Sequence, residues 1–288
     1  MTSTHTQERF RKLGVHVILL ILCVPALLPL AWMASTSLKS DAQIYAGDAE
    51  AARTVTLETF VPKPIAWENY PMALETIPFA VYFRNTLTLC IVCVIGAVLS
   101  SAVVAYGFAR VKFWGSGFLF ALMIATMALP GQVTMIPVFA LFRSLGWYGT
   151  YLPLMVPAFF GAPFFIFLLC QFFRTLPEEI SESARVDGAS DWTIFTRMIL
   201  PLSKPALATC ALFQFLGTWN DFFGPLLYIN EPSKYTLAYG LQQFLTGYGG
   251  KWAQLMAAST LFTIPIIILF FFAQKTFIQG IATTGGKN

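Results

Sequence analysis

Only a few side chains in this sequence have types and spacing that could support chemistry. Cys90-x-x-Cys93 has the spacing of a metal-binding or redox motif. The motif lies in the middle of an apolar run, with no histidine or charged residue nearby, and all five cysteines fall in such runs. Cysteines in this setting usually serve as small apolar packing residues. The only histidines, His5 and His16, lie near the N-terminus, so no catalytic residue and no metal site is predicted.

Asp221 is the one acidic residue inside an apolar run, and it directly follows Trp219 and Asn220. A charge at the centre of a membrane helix costs about 2.5–3.5 kcal/mol. Asp221 lies roughly 24 Å into its run at about 1.5 Å per residue, which is nearer the outer side, where the cost is lower. Two interpretations remain open: a polar patch that lines a solute pathway, or a hydrogen-bond network between helices or with a partner subunit. Gln214 is a weaker candidate of the same kind.

The segment Thr175–Pro205 is unusually rich in charge for its place between two long apolar runs. It holds eight of the 32 Asp, Glu, Lys and Arg residues of the chain. It has no histidine, and the spacing of its carboxylates identifies neither a metal ligand set nor an acid–base pair. We therefore predict that it binds a partner protein. A phosphate-binding loop of the G-x-x-x-x-G-K-[ST] type is absent from the sequence, so the chain itself is not expected to hydrolyse ATP.

The composition indicates a membrane protein. Hydrophobic residues make up 57% and charged residues 11% of the 288 residues, with a mean hydropathy of +0.67, whereas soluble domains carry about 25% charged residues. The apolar runs are continuous and about 20 residues long, as transmembrane helices require, and lack the alternation of barrel strands. We expect an all-α membrane protein with a single transmembrane domain, residues 1–288, and six spans at about residues 14–36, 83–109, 117–142, 151–173, 205–229 and 252–278.

The placement of charge predicts the orientation of the spans. An even number of spans puts both termini on one side, and the positive-inside rule makes that side the cytoplasm. The inside segments then hold 11 of the 18 basic residues, namely Arg9, Arg11, Lys12, Arg110, Lys112, Arg174, Arg185, Arg197, Lys204, Lys275 and Lys287. Residues 37–82 become an external loop and residues 174–204 a cytoplasmic loop. This placement accounts for the net charge of +4 without a nucleic-acid partner.

Small residues and prolines mark two further features of the spans. Ala97, Ser101, Ala105 and Ala109 recur every four residues, which predicts that another helix packs closely against them. Prolines inside the predicted spans remove a backbone donor and predict kinks, at positions 130, 137, 157, 163 and 265. Kinked helices suit a bundle that opens and closes.

The first half of the charged segment has the signals of a short helix. Thr175-x-x-Glu178 fits a capping box, with Pro177 tolerated in the first turn. Acidic residues crowd the beginning of this helix, where its dipole favours them, and the helix can run to about Val186. Gly188 can adopt a positive φ and end it.

The second half of the segment predicts another short helix. Ser190 can cap it, and Trp192, Phe195 and Ile199 then share one face. Pro201 is expected to end this helix. The two helices would form a helix–turn–helix hairpin on the membrane face, with acidic and small residues at its tip. A solvated loop need not be this long, capped twice, or supplied with an aromatic face, so docking to a partner is the preferred interpretation.

This segment closely resembles the EAA loop of the permease subunits of ATP-binding-cassette importers. That pattern reads Glu-Ala-Ala, three residues, Gly, nine residues, Ile-x-Leu-Pro. Here it reads Glu182-Ser183-Ala184, three residues, Gly188, nine residues, Met198-Ile199-Leu200-Pro201; Ser183 and Met198 depart from it, and both are similar to the family residue in size or hydrophobicity. The strings ARVDGAS and ILPLSKPALA resemble the carbohydrate-uptake branch typified by the maltose permease subunit. The resemblance covers most of the chain, including Trp219-Asn220-Asp221-Phe222.

The resemblance implies a type I importer permease fold, in which the hairpin inserts into a cleft of a separate cytoplasmic ATPase. The residues at this coupling contact would be Glu182, Ser183, Ala184, Asp187, Gly188, Leu200 and Pro201. A small alanine and a turning glycine allow close docking, and the acidic residues can pair with bases of the partner. ATP-driven closure of the ATPase would then move the attached spans, giving alternating access. The chain itself would need no cofactor, because ATP and Mg²⁺ would be bound by the ATPase.

The resemblance also implies an assembly in the cytoplasmic (inner) membrane of a prokaryote. Its parts would be a second, non-identical permease subunit, two ATPase subunits, an external solute-binding protein and membrane lipid. The expected cargo is a mono- or oligosaccharide, with a polyol or a glycerol phosphate ester as the alternative. Other classes fit less well: a secondary transporter usually needs more than one intramembrane acid, a channel would not need the hairpin, and an intramembrane hydrolase would need a catalytic set.

Overall fold

The computed structural model describes residues 2–45, 57–245 and 250–285. Within these residues every regular element is helical, as the all-α prediction requires. The chain divides into two units, residues 1–78 with 241–264 and residues 79–240 with 265–288.

The smaller unit contains the first span and short helices that follow it. Its helices are α1 (Thr2–Thr36), α2 (Asp41–Tyr45), α3 (Leu57–Phe60) and α4 (Asn69–Thr76), with a 3₁₀ turn at Leu241–Phe244. The side-chain amide of Asn69 donates hydrogen bonds to the carbonyls of Ser37 (2.9 Å) and Lys39 (2.8 Å). The buried Nζ of Lys39 lies 4.1 Å from the centroid of the Trp32 ring. Asn69 thus ties α4 to the chain that leaves α1.

The larger unit contains the whole of the charged segment and a long helix, Phe79–Arg110, of which many residues are buried. Its helices are α5 (Phe79–Arg110), α6 (Ser116–Thr126), α7 (Gly131–Ser144), α8 (Leu152–Met155), α9 (Pro163–Thr175), α10 (Glu179–Val186), α11 (Asp191–Ile194), α12 (Leu200–Leu202), α13 (Lys204–Trp219), α14 (Phe223–Tyr228) and α15 (Leu237–Gly240). Short 3₁₀ turns lie at Val156–Phe160 and Pro232–Lys234, and a π turn at Phe195–Ile199. Helix α16 (Trp252–Gly285) begins in the smaller unit and ends in the larger one.

Six membrane spans result when each bent pair of helices is counted as one. Four segments are each long and apolar enough to form one span, at Arg11–Thr36, Phe79–Arg110, Leu152–Thr175 and Trp252–Phe272. The other two are bent pairs, α6 with α7 at 97° and Asp191–Leu202 with α13 at 78°. Of the second pair only α13 belongs to the predicted span 205–229, since Asp191–Leu202 lies in the charged segment.

The predicted span 117–142 is therefore not one kinked helix. Pro130 lies before α7 with an extended backbone (ψ 132°), and α6 has already ended at Thr126. An extended backbone at this proline, between two helices of nearly perpendicular direction, makes a break. The prediction of a simple kink at Pro130 was wrong for this reason.

Helix α5 forms the centre of the larger unit. Ala97, Ser101 and Ala105 on its small-residue face are buried, and α5 packs against α9 and α13 as that face predicts. The Oγ of Ser101 accepts a hydrogen bond from the backbone N–H of Ala162 at 3.0 Å. Four of the five cysteines are buried in the same unit as free thiols, at positions 90, 93, 170 and 210.

Candidate functional site: a connecting hairpin and a polar cavity

The first helix of the connecting hairpin (residues 174–204) does not begin with the predicted capping box. Thr175 is the last residue of α9, and its hydroxyl donates to the carbonyl of Phe172 at 2.7 Å. Glu178 stands at the N-cap of α10 without a side-chain capping bond. The prediction failed because α9 extends through Thr175, whose side chain is then used by its own helix.

The turn of the hairpin is built as the sequence predicts. Gly188 has φ +79°, and its N–H donates to the carbonyl of Arg185 at 3.0 Å. The N–H of Ala189 reaches back to the carbonyl of Ala184 at 2.9 Å. These two bonds are the pair that ends a helix in a Schellman motif, which needs a left-handed residue at the glycine position.

The second helix begins as predicted but continues further. Ser190 accepts a hydrogen bond from the N–H of Thr193 at 3.3 Å. The helix then passes through the π turn Phe195–Ile199 and ends at Leu202, beyond Pro201. Pro201 has no N–H to donate, and the wider π turn before it relieves the ring's usual clash with the preceding turn. The prediction that Pro201 ends the helix was wrong.

One face of the hairpin is anchored in the hydrophobic core. Ala184, Ile194, Phe195 and Ile199 are buried in the same cluster as α5 and α9. The Phe195 ring lies 5.1 Å from the ring of Tyr106. Trp192 shares this face as predicted, with its ring 5.5 Å from the Phe195 ring, but it is 64% exposed. The predicted face is therefore formed, with Phe195 and Ile199 buried and Trp192 at its exposed edge.

Asp191 joins three parts of the unit. It forms an ion pair with Arg185 at the end of α10, with Nη2 and Oδ1 2.9 Å apart. The hydroxyl of Tyr106, on α5, lies 3.4 Å from the same Oδ1. The hydrogen bond to Asp191 raises the pKa of Arg185, which therefore keeps its charge. Asp191 thus links the two hairpin helices to each other and to α5.

Arg110 holds the other end of the hairpin. Its guanidinium donates to the carbonyls of Phe173 (2.7 Å) and Leu176 (2.6 Å), which lie at the end of α9, where carbonyls lack the i+4 partner of the helix interior. Sequence reasoning missed both Tyr106 and Arg110 as hairpin contacts. No local signal predicts them, because they lie more than 60 positions from their partners.

The other face of the hairpin is open. Glu182, Ser183, Asp187 and Gly188 are exposed, whereas Ala184 faces the core. Of the remaining predicted coupling residues, Leu200 is half-buried and Pro201 is exposed. Val186, at the tip, is 88% exposed. An exposed aliphatic residue, acidic side chains and a tight glycine turn thus stand together at the end of a rigidly anchored element.

The second candidate region lies where α13 ends. The predicted span 205–229 is broken there, because α13 ends at Trp219 and α14 begins at Phe223. Asp221 lies in the break, and its Oδ1 accepts a hydrogen bond from the N–H of Gly224 at 2.9 Å. The expectation that Asp221 sits in a continuous helix was wrong, since its carboxylate binds the backbone that the break leaves free.

The four predicted pathway residues do not all face one space. Trp219 is 0% exposed and packs between the rings of Phe83 and Phe215. The amide of Asn220 donates to the carbonyl of Leu216 in its own helix. Asp221 and Gln214, by contrast, line one cavity of about 270 Å³, together with Leu89, Cys93, Leu154, Gly217, Thr218, Pro225 and Thr236. A hydrogen bond of 3.0 Å from Gln214 to Thr218 orders one wall.

These elements define a helical membrane protein with a polar cavity and an anchored hairpin between two spans. Comparison with known proteins identifies the class. Residues 97–283 match the family described as binding-protein-dependent transport system inner membrane component. The chain belongs to this family, the permease subunits of ATP-binding-cassette importers, which do not hydrolyse ATP themselves.

Individual relatives agree over most of their length. The arabinooligosaccharides transport system permease protein AraQ of Halalkalibacterium halodurans is 34% identical, over 79% of this chain and 82% of that protein. The diacetylchitobiose uptake system permease protein DasC of Streptomyces coelicolor is 31% identical, over 96% and 98%. A bacterial ABC transporter involved in the import of the acidic polysaccharide alginate has the same fold, with a TM-score of 0.79, 24% identity, and coverage of 94% and 98%.

Proposed function

We propose that this chain carries a sugar through the cytoplasmic membrane of a prokaryote, as one of two non-identical permease subunits. The support is that relatives matching nearly the whole chain are named for the uptake of arabinooligosaccharides and diacetylchitobiose. The family assignment already implies an ATPase and a solute-binding protein as partners. We further propose two ATPase subunits, which bind ATP and Mg²⁺, and cytoplasmic termini, which place the hairpin on the ATPase side.

The observation that supports this mechanism is the two-sided hairpin. Its inner face is fixed to the core through Phe195 and Ile199, and its outer face offers Glu182, Asp187 and Val186. An element fixed in this way moves as a rigid body with the spans it joins. Docking of the outer face in an ATPase cleft would therefore convert closure of the ATPase into movement of the spans.

Replacement of Gly188 tests this proposal. A side chain at this position meets no atom within 4 Å, but φ is +79°, so valine costs about 1–2 kcal/mol of backbone strain and changes the turn. We expect Gly188→Val to reduce co-purification of the ATPase and to abolish ATP-driven sugar uptake, while the chain still inserts in the membrane.

Ser183→Ala is the matched control. Ser183 is exposed on α10, the helix that Gly188 ends, and alanine restores the family residue without strain, so association and uptake should remain. Wild-type ATPase association and uptake in Gly188→Val would contradict the docking role of the hairpin.

A further inference from the structure

We propose that the cavity beside Asp221 is a subsite for a single sugar ring, and that it accepts neutral or amino-substituted rings but disfavours acidic ones. This inference rests on the proposed function and adds the charge class of the cargo. It concerns only the wall that this chain contributes.

The lining supplies hydrogen-bonding groups of the kind that sugar hydroxyls need. Four of its nine residues are polar: Gln214, Thr218, Asp221 and Thr236. The carboxylate accepts hydrogen bonds from hydroxyl or ammonium groups, and the amide and hydroxyls both donate and accept. The other lining residues are apolar, a cysteine or a glycine, and suit the C–H faces of a ring.

The only charged side chain among the nine lining residues is acidic, that of Asp221. None of the nine lining residues is basic. The two ion pairs of the described residues are Arg185 with Asp191 and Lys234 with Glu231, so Asp221 takes part in neither. Arg84, whose charge acts on nearby Tyr151, is exposed and does not line the cavity. A second carboxylate in this space would meet Asp221 without a compensating cation from this chain.

The carboxylate is also fixed in place. Gly224 donates its N–H to Oδ1, and any side chain on Gly224 would collide with the Asp221 carboxylate and with Leu154. Glycine at this position thus permits the close approach of backbone and carboxylate. This hydrogen bond favours the position of the carboxylate at the cavity wall, where an anionic ligand would meet it.

The size of the cavity limits the ligand to one ring. Its volume is about 270 Å³, just below the roughly 300–1,000 Å³ of pockets that enclose drug-sized ligands. A longer saccharide would pass through this subsite one ring at a time.

Thiol labelling in the cavity tests the charge preference without knowledge of the cargo. Gly217 lines the cavity, is exposed, and a side chain there would meet no atom within 4 Å. Gly217→Cys in the assembled transporter is treated with cationic, neutral and anionic methanethiosulfonates of similar size. Mass spectrometry then reads the modification of position 217, so the native cysteines remain in place.

We expect the cationic reagent to react at least about tenfold faster than the anionic one, after each rate is divided by its rate with a free thiol. Asp221→Asn should bring the ratio close to one, and Gln214→Glu, which adds a second carboxylate, should raise it. Glu179→Gln removes an exposed carboxylate that does not line the cavity and should leave the ratio unchanged.

A ratio near one in the Gly217→Cys protein, or a bias that survives Asp221→Asn, would overturn the inference. So would the absence of reaction with all three reagents while the unfolded protein reacts, because the cavity would then be closed to solutes. Labelling needs no ATP, so it is independent of the proposed function. If the labelling shows no charge bias but ATP-driven uptake is intact, only the subsite is refuted. If the charge bias is present but there is no ATP-driven uptake, only the importer function is refuted.

Discussion

Asp191→Asn should weaken the coupling of ATP hydrolysis to transport without unfolding the protein. The substitution keeps the size of the side chain and removes the charge that binds Arg185 at 2.9 Å and faces Tyr106 at 3.4 Å. The hairpin would remain anchored by its apolar face, but its two helices would no longer be tied to each other and to α5.

The structure sets the magnitude of this effect. The side chains of Arg185 and Asp191 are 42% and 53% exposed, so water screens their attraction. Exposed ion pairs contribute about 0.2–1 kcal/mol, and the long contact with Tyr106 adds little. A change of about 1 kcal/mol alters the ratio of two conformations roughly fivefold. We therefore expect a loss of coupling of about 1.4- to fivefold at an almost unchanged melting temperature.

The assay compares ATP hydrolysis by the assembled transporter in proteoliposomes with and without the sugar-loaded binding protein. Asp191→Asn should lower the stimulated rate and the sugar imported per ATP. Glu179→Gln is the matched control, because it removes an exposed carboxylate of the same hairpin that takes part in neither described ion pair. The charge-swapped pair Arg185→Asp with Asp191→Arg should recover part of the loss, which a double-mutant cycle would isolate.

Equal stimulation in Asp191→Asn and wild type would refute the reasoning. An equal loss in Glu179→Gln would refute it as well, because the effect would then come from the overall charge of the hairpin. A swapped pair as defective as the single variants would place Asp191 in direct contact with the ATPase instead.

Three further predictions concern packing and burial. Phe195→Ala should cost about 3–5 kcal/mol, since it removes a buried ring next to Tyr106, and should lower the unfolding temperature as well as uptake. Gly224→Ala should displace the Asp221 carboxylate and reduce uptake, with the amount of inserted protein as the control. Burial lowers the pKa of Lys39, so the folded state loses a proton before the unfolded one, and stability should rise as pH increases towards the ordinary lysine pKa of about 10.4. Lys39→Met should remove this rise in a pH series of thermal melts.

The hairpin turn could be predicted from sequence because its determinants are local. Gly188 and Ser190 act on backbone groups within five positions, and both behave as expected. The contacts of Tyr106 and Arg110 could not be predicted, since they join residues 63 to 85 positions apart. Long-range contacts also explain why the sequence left two interpretations of Asp221 open, a solute pathway or a hydrogen-bond network. Its residue type indicated a polar site, but only the folded chain separates Asp221, which lines the cavity, from Trp219, which is buried between two rings.

Helix α13 connects the two regions that the sequence had suggested separately. It begins at Lys204, directly after the bend at the buried Ser203, and ends at Trp219, two residues before Asp221. Its 16 residues span about 24 Å as a single helix, and Gln214 lies on it. A rotation of the hairpin about Ser203 would therefore be carried along this helix to the wall of the cavity. The break after Trp219 lets that wall move without bending α14. In the described structure no backbone hydrogen bond joins α13 to α14 across Asn220–Phe222. A helix that ran unbroken through Asp221 would instead transmit the rotation to the whole span and would leave its carboxylate no backbone partner.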